Sequence, residues 1–68
     1  MMSVGKAIRK ARKERGYSRE RLARAAKLNF MTITRWERGE SYPNLFPLLA
    51  VADVLQISID ELIGRTAY

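Results

Sequence analysis

The segment that most constrains the fold is 18–39, SRERLARAAKLNFMTITRWERG, because it predicts two short helices joined by a tight corner. Leu22 and Ala26 repeat at four-residue spacing, and Ile33 and Trp36 repeat at three-residue spacing. These two apolar pairs predict the faces by which the helices pack together. Ala23 is small where the second helix must cross the first closely. A pair packed in this way leaves the second helix with a free outward face.

Apolar spacing predicts another helix before this segment and one after it. The first should run from Val4 to about Arg15, with Gly16 as a left-handed C-terminal cap. A further helix should follow the loop after Gly39. Its expected core positions are Leu45, Leu48, Leu49, Val51, Ala52 and Leu55.

A short last helix completes the predicted fold. Ser58 and Glu61 have the spacing of a capping box, and Gly64 is placed to end the helix. The pattern therefore predicts an all-α domain of five helices over residues 1–68, with an ordered core of about 4–64 and a tail of 65–68. A chain of this length buries roughly 60% of its unfolded surface, so the core is thin.

Composition narrows the possible functions. The 68 residues include no cysteine and no histidine, so neither a disulfide framework nor the usual soft metal ligands are expected. The sequence contains neither a glycine-rich phosphate loop nor an isolated carboxylate pair, so no pattern in it indicates catalysis. The apolar runs are far shorter than the roughly 20 residues of a membrane span, and the N-terminus does not resemble a signal peptide. We expect a cytoplasmic, non-enzymatic domain without cofactor or metal.

The positive charge is concentrated in one part of the chain. Residues 1–40 hold twelve Lys or Arg against four Asp or Glu, whereas residues 41–68 hold one Arg against three acids. This polarity favours one face that meets a polyanion. Solvation of helix surfaces is the alternative explanation. The free helix face in the same region favours DNA, because such a helix can enter the major groove.

A family resemblance covers nearly the whole chain, from about Val4 to Ile63. It is carried by Ser18, Leu22-Ala23, Ile33, Trp36-Glu37-Arg38-Gly39, Pro43 and Ile57-Ser58-Ile59-Asp60-Glu61-Leu62. This pattern resembles the lambda-repressor-like helix-turn-helix family of phage Cro and repressor proteins. The resemblance implies a five-helix fold in which helices two and three form the helix-turn-helix.

The chain departs from the family pattern at two places. Arg19 and Arg21 stand where the family usually has glutamine and glutamate, so the usual capping box of helix two is missing. We expect Ser18 to cap this helix alone, and the arginines to serve phosphate or to lie in solvent. Lys27 stands where the family commonly has glycine, so either it accepts a left-handed backbone or the turn differs.

Helix three should carry the base contacts. With Ile33 and Trp36 inward, helical rotation points Met31, Thr34, Arg35 and Arg38 outward and puts Phe30 on the rim. The first turn and the residue one turn later can enter the groove, which favours the positions that the resemblance also marks: Phe30, Met31, Thr32 and Arg35.

The chemistry of these side chains leaves alternatives open. Arg35 can bond bidentately to guanine, or can meet a phosphate or solvent. Phe30 and Met31 can contact thymine methyl groups, pack against the edge of helix two, or bind a protein partner.

Other roles concern phosphate, packing and assembly. Phosphate contacts are expected from the N-terminus of helix two, from the two ends of helix three and from the following loop: Ser18, Arg19, Asn29, Arg38, Ser41 and Tyr42. The resemblance implies an internal ion pair between Arg12 and Glu37. Apolar residues of the last helix and tail, Ile59, Leu62, Ile63 and Tyr68, can form a dimer surface or ordinary core.

These observations favour a sequence-specific transcription regulator. We expect a repressor that binds double-stranded DNA as a homodimer on a near-palindromic operator. The alternative is a protein-interaction module, such as an antitoxin that binds a toxin, or a target of an antirepressor, with secondary DNA binding.

Overall fold

The computed structural model describes residues 4–62, which form helices joined by short loops. Helix α1 spans Val4–Glu14, α2 spans Arg19–Ala25, α3 spans Phe30–Arg38 and α4 spans Leu45–Leu55. Residues 59–62 are helical and begin the expected fifth helix, α5. Gly64 and the tail 65–68 lie outside the described residues. The all-α fold with a helix-turn-helix at α2 and α3 is confirmed, and none of the described helices is long and apolar enough to cross a membrane.

One apolar core joins all of these helices. Ile8, Leu22, Ile33, Leu55 and Leu62 are fully buried in it, and Trp36 is nearly so. Helix α3 packs against both α1 and α2, and α4 packs against the same two helices. Because α3 lies between two neighbours and solvent, only one strip of its surface stays free.

The four complete helices end in the same way. The residue one or two positions after each helix has a positive φ: Gly16 at 75°, Lys27 at 58°, Gly39 at 76° and Gln56 at 54°. The next amide then bonds back into the last turn, as in Leu28 N to Ala23 O at 2.8 Å. This is the Schellman arrangement, which satisfies the free carbonyl groups at a helix end. Lys27 therefore accepts the left-handed backbone, and the turn keeps its usual form.

Helix α4 differs from its prediction. Leu48, Val51, Ala52 and Leu55 are buried as expected, but Leu45 is 60% exposed and Leu49 is also exposed. The prediction that these two leucines belong to the core is wrong. The first eight residues of α4 all have apolar side chains. The periodicity of the sequence therefore gives little information about which side of the helix faces the core. Phe46, to which no role was assigned, is 81% exposed.

A glycine sets the distance between α1 and α3. Gly5 is buried in the first turn of α1, and a Cβ added there would overlap the backbone carbonyl of Trp36. The two helices therefore approach to backbone contact at this point. The sequence pattern does not single out Gly5, because its importance depends on which helix lies across from it.

Candidate nucleic-acid interface

The first turn of α3 is capped and open to solvent. Asn29 accepts a hydrogen bond through Oδ1 from the Met31 amide at 2.8 Å, which leaves its side-chain NH2 free to donate. Phe30 is 40% exposed and Met31 is 43% exposed, while Thr32 is half-buried. Arg35, one turn further on, is exposed. Among residues 4–62 no acceptor holds its guanidinium, so it can reach a ligand.

Thr34 does not share this surface. It is buried, and its hydroxyl donates to the Phe30 carbonyl oxygen at 3.1 Å. The prediction that Thr34 points outward is wrong. Helix α3 packs against both α1 and α2, and this packing leaves almost no exposed surface at Thr34. The bond to the carbonyl four residues earlier satisfies the hydroxyl, so burial of this polar group is not costly.

A buried ion pair joins α3 to α1. Arg12 Nε lies 2.8 Å from Glu37 Oε2, and Arg12 Nη2 lies 3.0 Å from Oε1. The two side chains are only 7% and 5% exposed. Arg12 Nη1 also donates to the Tyr17 carbonyl oxygen at 2.9 Å. One guanidinium thus ties α1, α3 and the loop before α2 together, with a bidentate geometry that fixes direction as well as distance.

The expected phosphate-binding residues lie on the edges of this surface. Ser18 Oγ accepts from the Arg21 amide at 3.1 Å, so Ser18 caps α2 as predicted, and its hydroxyl proton can still donate. Arg19 is half-exposed and Arg38 is exposed. In the loop after α3, Ser41 is half-buried and Tyr42 is exposed.

Several cations that the sequence places on a basic face have structural partners. Arg15 donates through Nε to the Leu55 carbonyl oxygen at 2.9 Å, which helps to satisfy the end of α4. The Arg21 guanidinium lies 4.7 Å from the centre of the Tyr17 ring. Arg9, which nothing in the sequence pattern distinguishes, instead lines a cleft together with Arg19 and Arg38. Charge counting could not separate these roles, because they depend on the neighbouring helix.

The structure describes two of the four residues suggested for a dimer surface. Leu62 is fully buried in the core, and Ile59 is partly buried against it. Leu62 therefore cannot offer an apolar contact to a second chain, and of the two explanations ordinary core is correct for it. Ile63 and Tyr68 lie outside the described residues. Within 4–62, no three His, Cys, Asp or Glu side chains are grouped so that they could hold a metal ion.

Comparison with known proteins agrees with this geometry. A helix-turn-helix family model matches residues 8–62, which is most of the chain. An exposed face on α3, held by a corner that places it across α2, is the defining geometry of that class. The chain belongs to the helix-turn-helix family.

Individual relatives are transcriptional regulators by name. The chain is 37% identical over 57 residues to the HTH-type transcriptional regulator DicA of Escherichia coli, and these residues cover 84% of this chain but 42% of DicA. It is 32% identical over 66 residues to the cryptic phage CTXphi transcriptional repressor RstR of Vibrio cholerae, covering 97% of this chain and 59% of RstR. The match to the HTH-type regulator YazB of Bacillus subtilis is 40% and covers 84% of that protein. The chain thus spans about half the length of DicA and RstR.

Solved structures give the same result. The solution structure of the P22 c2 repressor DNA-binding domain matches with a TM-score of 0.87 and 34% identity, covering 91% of this chain and 82% of that one. A crystal structure of the P22 c2 repressor in complex with a synthetic operator matches with a TM-score of 0.84 and covers 94% of that chain.

Proposed function

We propose that this protein is a sequence-specific DNA-binding transcription regulator, acting as a repressor rather than as an enzyme. The observation that carries the proposal is the free face at the start of α3. Arg35, Phe30 and Met31 are exposed there, and the buried Arg12–Glu37 pair holds the helix from the opposite side. The similarity to a repressor solved with its operator supports the same conclusion.

In this proposal some side chains contact bases and others contact phosphates. Arg35 bonds to the O6 and N7 of a guanine, which is worth about 1–3 kcal/mol of discrimination. Phe30, Met31 and the half-buried Thr32 contact thymine methyl groups or base edges nearby. Ser18, Arg19, Asn29, Arg38, Ser41 and Tyr42 hold phosphates and fix the register without distinguishing bases.

Selection from a random duplex pool tests this division of roles. The parent protein should enrich a near-palindrome that contains a guanine with adjacent thymines. Arg35→Ala should lose preference at the guanine, while Arg24→Ala, a change at an exposed arginine of α2, should select the parent sequence. If the parent protein binds DNA at low salt but enriches no particular sequence, sequence-specific regulation is contradicted.

The repressor should act as a homodimer, because one module this small covers too little DNA for selective binding. Since Leu62 is core, we assign the subunit contact to the apolar residues left exposed on α4: Leu45, Phe46 and Leu49. The described residues from 41 onward contain no Lys or Arg, so two copies with a net charge of +6 each can approach there with little repulsion.

Sedimentation with and without operator tests the homodimer. The parent should occupy half-sites about 10–10.5 base pairs apart as two copies. Phe46→Gln should weaken the second occupancy but leave binding to an isolated half-site unchanged. A parent protein that stays monomeric at high micromolar concentration both with and without operator would rule the homodimer out.

A protein-interaction module is the second candidate, and the exposure of Phe30 and Met31 is what favours it. Large apolar side chains at a helix tip suit a toxin or antirepressor surface as well as thymine methyls. Phe30→Gln and Met31→Gln separate the candidates. Loss of preference at thymines supports DNA recognition, whereas unchanged DNA selection with loss of a partner purified from the host supports the module.

A further inference from the structure

Met31 is the one sulfur-containing side chain among residues 4–62, and it lies on the face proposed to contact bases. The chain has no cysteine, and its other two methionines, Met1 and Met2, lie outside the described residues. Met31 stands in the first turn of α3 and is exposed. Trp36, the other readily oxidised side chain of α3, is nearly buried. An oxidant in solvent therefore reaches the Met31 thioether and not the Trp36 ring.

Arg35 follows Met31 by one turn of α3 and is exposed on the same face. Side chains four residues apart are neighbours on a helix, and a long side chain at the later position leans toward the earlier one. The Arg35 guanidinium has no hydrogen-bond acceptor among residues 4–62. A thioether sulfur is only a weak acceptor. While Met31 is reduced, the Arg35 donors therefore stay available for a guanine.

Oxidation by a peroxide changes the acceptor at position 31. The Met31 sulfur attacks one oxygen of hydrogen peroxide, so a sulfur–oxygen bond forms while the oxygen–oxygen bond breaks. The proton of the transferred oxygen passes to the leaving hydroxide, which departs as water. The sulfur is oxidised to a sulfoxide and the peroxide is reduced, so no other reactant is needed. The product side chain is polar and carries an oxygen acceptor in place of an apolar thioether.

We infer that Met31 is a reversible oxidation site, and that its sulfoxide weakens operator binding in two ways. A polar sulfoxide loses the apolar contact with thymine methyl groups, and its oxygen accepts hydrogen bonds from Arg35, which is thereby withdrawn from guanine. The inference rests on the proposed function and adds a regulation to it. The residues proposed to hold phosphates are not altered, so the oxidised protein keeps its binding to DNA of any sequence.

DNA binding before and after treatment with hydrogen peroxide tests the inference. The parent and Met31→Leu are each compared with their own untreated sample, since leucine is close to methionine in volume but has no sulfur. The treated parent should bind the selected operator about tenfold less tightly, because loss of one guanine contact has about that effect. It should bind a random duplex as before. Treatment should not change the affinity of Met31→Leu, which still contains Met1 and Met2. An equal loss in both proteins would overturn the inference.

Mass spectrometry of the tryptic peptide 28–35, LNFMTITR, follows the modification without DNA. The peptide should gain one oxygen atom, and a methionine sulfoxide reductase should remove it and restore operator binding. The oxidised protein should keep the Tm of the untreated protein, because the change lies on the surface. A peptide that gains no oxygen, or one that gains oxygen without any loss of operator binding, would overturn the inference. Failure of the untreated parent to select any duplex would instead contradict the proposed function.

Arg35→Ala separates the two effects of the sulfoxide. Peroxide should weaken operator binding less in this variant than in the parent, because only the thymine contact remains to be lost. Selection with the oxidised parent should show reduced preference at the guanine as well as at the thymines. If peroxide weakens Arg35→Ala and the parent by the same factor, the sulfoxide does not withdraw Arg35, and that part of the inference is overturned.

Discussion

Helices α3 and α4 both break the rule that apolar residues lie inside and polar residues outside, but in opposite directions. Helix α3 buries a glutamate and a threonine, whereas α4 exposes Leu45, Phe46 and Leu49. In α3 the buried polar groups are satisfied by Arg12 and by a backbone carbonyl. In α4 the exposed groups are apolar and have no described neighbour to cover them. Burial in this protein is therefore set by the partners that the fold supplies, rather than by side-chain polarity.

The largest expected effect comes from breaking the buried pair of α3. Glu37→Gln leaves Arg12 buried without its counter-charge, which costs about 3–5 kcal/mol. A domain of this size has about that much stability in total, so the variant should be largely unfolded at 25 °C. Denaturation followed by circular dichroism measures this loss. Glu40→Gln, in the exposed pair with Arg38, is the control and should change stability by less than about 1 kcal/mol.

A double substitution separates charge from packing at the same site. Arg12→Met combined with Glu37→Leu should recover much of the stability that Glu37→Gln loses, because no uncompensated charge remains buried. If Glu37→Gln alone melts and binds DNA like the parent, the idea that the pair fixes the angle between α1 and α3 is wrong.

The second-largest expected change in the free energy of unfolding concerns the buried and exposed sides of α4. Leu48→Ala should destabilise the domain by about 2–5 kcal/mol, since it removes buried methyl groups and leaves a cavity. Phe46→Ala removes a larger side chain but should cost less than about 0.5 kcal/mol, because surface changes lie in that range. Urea unfolding of both variants at low protein concentration measures the difference. Similar losses would mean that Phe46 is covered in solution.

A smaller effect is expected where α1 meets α3. Gly5→Ala puts a methyl group against the Trp36 carbonyl, and overpacking of this kind costs about 1–3 kcal/mol. Lys10→Ala, at an exposed position of the same helix, is the control and should be nearly neutral. Thermal unfolding gives the stability of each. A neutral Gly5→Ala would show that α1 can move away from α3, and the rigid support proposed for α3 would then be in doubt.

The smallest effect concerns the corner between α2 and α3. Lys27 has a φ of 58°, a conformation that costs a non-glycine residue about 1–2 kcal/mol. Lys27→Gly removes that cost but adds unfolded-state entropy, so we expect a net gain of about 0.5 kcal/mol. Ala25→Gly, at the last residue of α2, should instead lose up to about 0.5–1 kcal/mol, the cost of a glycine in a helix. A loss at both positions in urea unfolding would show that Lys27 makes a compensating contact.

Most of the helix positions could be predicted from the sequence, because local chemistry fixes where a helix begins and ends. The side-chain oxygens of Ser18 and Asn29 accept hydrogen bonds from backbone amides in the first turn of the helices that they cap. Gly16 takes the left-handed backbone that ends α1. Such contacts lie within a few residues along the chain, so a sequence pattern contains all the partners that they need.

The candidate site was predicted only in part. Rotation about the helix axis correctly put Met31 and Arg35 on the free face, because Ile33 and Trp36 define the inner one. The same rotation failed for Thr34, which is buried. The roles in DNA binding assigned to Phe30, Met31 and Arg35 remain predictions, since they depend on a ligand.

By itself, the sequence determined the order of the helices, their caps and the apolar pairs that join α2 to α3. Only the tertiary structure decided which cations are structural and which stay available. Arg12 and Arg15 bond to α3 and to the end of α4, whereas Arg9 faces a cleft, although all three lie on one helix or at its end. The physical reason is range. A cap needs partners within one turn, while the role of an arginine depends on oxygens brought near it from 25 or 40 residues away.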